Sequence, residues 1–180
     1  MTLSVGLRQR NVDLSIFKLI QDRFANAAPY STRTFFGDSL ADPTARSSLN
    51  TALAYWVECR IVARGAGQKV PTVLQVDVYY QTGDPGDQAT SDEYGHKATS
   101  VGDDFVAAMT PCNAGFTVYD FATPSTPVAT SEWLLIRNSR GQQGWPEERR
   151  PVDTDRGLHR HVLTYHVWHR QDLQGVQGYF

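Results

Sequence analysis

The sequence predicts an α+β domain: a mainly antiparallel sheet of about five strands with two helices packed on one of its faces. Three observations carry this. Segments 11–24 and 90–109 each place apolar residues in one stripe at helical spacing. Segments 52–63, 73–80, 116–121, 132–136 and 158–170 alternate, or run apolar, over strand lengths. The elements come in the order helix, two strands, helix, three strands, which groups helices against a sheet rather than alternating them one for one. At 180 residues the chain reads as one domain with a substantial core.

After a flexible arm over 1–10, Asn11 or Asp13 is placed to cap a first helix. In it Val12, Ile16, Leu19, Ile20 and Phe24 face inward while Lys18, Gln21, Asp22 and Arg23 face water. Asn26-Ala-Ala-Pro29 stops it. Residues 30–50 are polar and read as a long loop, of the kind that carries function or interactions in a compact domain. Within it, Thr34-Phe-Phe36 reads as a short strand or an anchor.

In 52–63, Leu53, Tyr55, Val57, Cys59 and Ile61 oppose Glu58 and Arg60, with Trp56 and Val62 making the second face only partly polar. A short connection through Gly65-Ala-Gly67, Lys69 and Pro71 leads to the strand of 73–80, so the two should form an antiparallel hairpin. There Leu74, Val76, Val78 and Tyr80 share one face, and Gln75 and Asp77 the other. Gly83-Asp-Pro-Gly86 breaks the chain, and Thr90 with Glu93 has the reciprocal capping pattern of a helix start. Tyr94, Ala98, Val101, Phe105 and Met109 form that helix's stripe. Gly95 and Gly102 each cost about 1 kcal/mol relative to alanine, so they mark a tight contact, either within the chain or with a neighbouring subunit.

A turn at 110–115 precedes the strand of 116–121, and Glu132-Trp-Leu-Leu-Ile136 reads as a strand buried on both faces. Residues 138–157 form a second long polar excursion, 158–170 a long aromatic strand, and 173–180 a Gly-rich tail.

The composition is that of an ordinary soluble domain, 41% apolar and 20% charged, and no apolar run approaches the roughly 18 residues of a membrane span. The N-terminus lacks the order of a secretory signal, so the protein is expected to stay where it is made. Seventeen basic and 19 acidic residues give a net charge of −2 with no long-range field for nucleic acid or acidic membrane. This favours a protein partner or a small ligand. Cys59 and Cys112 have neither disulfide-framework nor zinc spacing and read as structural.

Chemistry-bearing patterns are weak. The last strand holds four histidines, of which His159, His161 and His169 point one way and His166 the other; the first two make at most a two-point metal site. No third ligand pattern supplies a catalytic zinc site, and no Gly-x-Ser-x-Gly elbow is present. Gly65-Ala-Gly67 leads to a strand, not a helix, and is a turn rather than a phosphate cradle. Asp84, Asp87, Asp92 and Glu93 miss the calcium-loop spacing. Arg149 and Arg150, with Arg140, Arg156 and Trp145 nearby, are balanced by Glu147, Glu148, Asp153 and Asp155, as in a solvated loop or a docking arm. No catalytic residue, cofactor or metal is expected, and the chain is not expected to be an enzyme.

Two helices on one face leave Trp56, Val62, Trp168 and Tyr165 or its opposite neighbours as a surplus apolar face, which calls for a subunit partner. The element order, with Gln75-Val-Asp-Val78 between the helix of 11–24 and the helix of 90–109, resembles the tail terminator (tail completion) proteins of long-tailed bacteriophages over about residues 10–136. The long segments 30–50 and 138–157 and the extra final strand depart from that pattern. The resemblance implies a structural virion protein, assembled in the host cytoplasm, at the head-proximal end of the tail. It implies a ring, typically a hexamer, that caps the tail tube and meets the head connector. Trp145, Arg149, Arg150, Trp56 and Trp168 are then interface candidates, with no membrane and no specific nucleic acid as partner. The alternatives are another connector or minor tail protein, or a small-ligand or metal domain using His159, His161 and Tyr165 on the sheet's open face.

Overall fold

The computed structural model describes residues 5–37, 55–65, 70–81, 88–110, 115–137, 146–149, 152–153 and 158–170, with side chains over all of these except 5–8, 81, 88–96, 148–149, 152–153, 158 and 170. Helix α1 (Val5–Ile20) continues through a wider turn at Gln21–Ala25. Strand β1 (Thr34–Phe36) follows, then β2 (Tyr55–Ala63), β3 (Thr72–Gln81), helix α2 (Gln88–Met109), β4 (Phe116–Asp120), β5 (Val128–Arg137), the short β6 (Glu147–Arg149) and β7 (Val152–Asp153), and β8 (Leu158–Arg170). The α+β class holds, with a main path of six strands in the order β1-β2-β3-β8-β5-β4. The sheet is mixed rather than purely antiparallel, because Thr34-Phe-Phe36 pairs parallel to β2 while the other neighbours run antiparallel.

The expected hairpin forms, with Tyr55 opposite Tyr80 and Val57 opposite Val78. Its register slips between Ile61 and Ala63, and Val62 is left half exposed at the slip. The chain's last strand, β8, inserts between β3 and β5, so that local hairpins do not decide the sheet order.

Both helices lie on one face, as their stripes require. Val12, Ile16, Ile20 and Phe24 of the first helical stretch and Ala98, Val101, Phe105 and Met109 of α2 join Val57, Val76, Leu163 and Ile136 in one core. Phe24 meets Phe105 edge-on at 4.9 Å, tying the helices to each other.

Three expectations need correction. Residues 1–10 are not all an arm, since α1 begins at Val5. Asn11 and Asp13 are accordingly inside the helix rather than at its cap, and their polar atoms serve as cross-links. Asn11 donates to Asp120 and accepts from the Phe121 N–H, and Asp13 pairs with Arg64. Ser15 accepts from the Tyr119 N–H, so α1 side chains satisfy amides along β4 and blunt that sheet edge. Helix α2 starts at Gln88, two residues ahead of Thr90, and the Thr90/Glu93 side chains and the Tyr94 end of the stripe lie outside the described side chains.

The excursion at 138–157 is partly strand. Arg137 faces His166 and Glu147 faces Thr164, so the chain advances ten residues while β8 advances two. It then stays in the same register to Asp153 opposite Leu158. Strands β5, β6 and β7 thus share one lane along β8. No helix among the described residues is long and apolar enough to cross a membrane.

Candidate interaction surface on the second face of the sheet

Pleating sends alternate residues of β2, β3 and β8 away from the helices. On that side Trp56, Tyr79 and Arg160 fall in one cross-strand row, Glu58, Asp77 and Val162 in the next, and Arg60, Gln75 and Thr164 in a third. The middle row would be a poor arrangement by itself, because it sets two carboxylates opposite each other. The flanking rows resolve it.

Asp77 is fully buried and takes donors from every side. Arg160 gives Nη2 at 3.0 Å and Nε at 3.3 Å to Oδ1, Gln75 Nε2 reaches both oxygens at 2.9 Å, and Arg60 Nη2 donates to Oδ2. Glu58, also buried, accepts from the Trp56 indole at 3.2 Å and stands 3.9 Å from Arg60 Nε. Burial works against the Arg60 charge, but Asp77 outweighs it and the net effect on its pKa is upward. The Trp56 ring stacks on Tyr79 at 5.0 Å, and the Arg160 guanidinium lies over Tyr79 at 5.7 Å. The Gln-Val-Asp-Val pattern thus alternates between core valines and an ionic network on the far side.

The interface candidates separate on this frame. Trp56 has no exposed area at all, so it offers no surface to a partner. Trp168 is on the second face and partly buried, and among the described residues its indole N–H has no acceptor. Arg149 contributes its backbone to β6 with its side chain outside the description, and Trp145 and Arg150 lie outside the described residues.

The histidine strand is also corrected. The alternation is as read, but His159, His161 and Tyr165 face the helices and are buried there, not on an open face. Tyr165 packs near Phe105, at 5.9 Å between rings. His161 lies so close to α2 that a Cβ on Gly102 would stand 2.5 Å from its Nδ1. Gly102 is therefore a helix-on-sheet contact within the chain; the Gly95 side of the helix lies outside the described side chains. His169 instead meets Glu132 at 2.8 Å. Among the described residues no three His, Cys, Asp or Glu side chains are grouped to hold a metal. Cys59 is buried in the core, and burial, with Asp77 and Glu58 nearby, pushes its thiol far up from the ordinary value, which disfavours the nucleophilic thiolate; Cys112 lies outside the described residues.

A polar-aromatic cluster that the sequence did not single out closes the other end of the helical face. Tyr30 stacks on Phe24 at 4.1 Å and donates its hydroxyl to Asp104 of α2, Tyr55 stacks on Tyr80 at 5.3 Å, and Arg33 covers Tyr55 at 4.4 Å. Its one sequence signal was the aromatic at each strand end. Comparisons with protein-family models, with curated proteins and with solved structures return no match.

Proposed function

We propose that this chain is a structural virion protein that forms a ring on the tail tube of a long-tailed phage and joins it to the head connector. It is not an enzyme in this reading, and its partners are further copies of itself, the tube protein and the connector. The observation that carries the reading is the arrangement around β3. A helix precedes the hairpin, Gln75-Val-Asp-Val78 forms its second strand, a helix follows directly, and both helices lie on one face of the sheet. This is the order in which the sequence resembles the tail terminators.

The small-ligand alternative loses its premise, since His159, His161 and Tyr165 are buried on the helix-covered face of the sheet. A terminator stops tube growth, so the test is to add purified chain to elongating tail tubes. Tubes should stop lengthening at substoichiometric amounts, near one ring per tube. Unchanged length distributions at saturating protein would contradict the proposal.

A further inference from the structure

We draw no further inference here: the strongest candidate, the apolar patch of Trp133, Leu135 and Trp168 on the second face of the sheet, where the Trp168 indole N–H has no acceptor among the described residues, is a sheet face for which nothing in the structure shows what covers it.

Discussion

Replacing Gly102 by alanine probes the closest approach of helix to sheet. The added Cβ would stand 2.5 Å from Nδ1 and 2.8 Å from Cε1 of His161, roughly 1 Å inside ordinary contact. The obstacle is a whole ring rather than a flexible tip, and His161 is only 2% exposed, so it has no open direction to move in. Overpacking of this kind costs about 1–3 kcal/mol, and the better helix propensity of alanine returns up to about 1 kcal/mol. The net expectation is a loss of about 1–2 kcal/mol, read as a lower urea midpoint at unchanged slope. In a His161→Ala background the overlap is gone, and the same Gly102→Ala change should stabilise by about 0.5–1 kcal/mol. That reversal of sign is the test, with a coupling of about 1–3 kcal/mol in the double-mutant cycle. Additive effects, or a stabilising Gly102→Ala in the wild-type background, would refute the packing argument.

Asp77→Ala should destabilise by about 2–3 kcal/mol in the same assay, less than the full cost of breaking a buried pair because Arg60 and Arg160 can rehydrate. Asp77→Asn should fall between, and a neutral Asp77→Ala would contradict the network. Asn11→Ala strands the Phe121 N–H and should cost about 1–3 kcal/mol by denaturation. Ser15→Ala, at the Tyr119 N–H, should behave alike; loss below a few tenths for both would show that β4 does not depend on α1. The Tyr30 pKa is raised, chiefly by burial and then by Asp104. The neutral phenol is the favoured folded form, so its contribution is intact below the unfolded value near 10 and is lost as pH rises above it. Tyr30→Phe should therefore lose less stability than wild type between pH 9 and about 11.5, measured by denaturant midpoints; parallel curves would contradict it.

The two helical stripes and the alternation of β2, β3 and β8 were legible because local periodicity and burial are the same information at those positions. Val76 and Val78 go inward and Gln75 and Asp77 outward whatever the neighbours are. The strand order was not legible, since placing β8 between β3 and β5 depends on contacts nearly a hundred residues apart. Strand β1 was glimpsed as three residues, but its parallel pairing was not, and β6 and β7 were hidden in a charged, proline-containing stretch that reads as loop. Asn11 and Asp13 were misread because a polar residue ahead of an apolar stripe looks like a cap. Only the position of β4 shows that they are cross-links. The ionic network was half visible: Gln75 and Asp77 stood out on their strand and Arg60 on its hairpin partner, but Arg160 comes from β8, which the sequence does not pair with them. The wetted-looking face proved to hold a buried Trp56, so hydrophobic surplus alone was a poor guide to which tryptophans could meet a partner.

The most direct test of the central claim is averaged negative-stain imaging of the purified chain, alone at high concentration and then mixed with tail tubes. Closed rings of uniform size, seated on one end of the tubes, are the predicted result. Single compact particles that leave both tube ends bare would contradict the account.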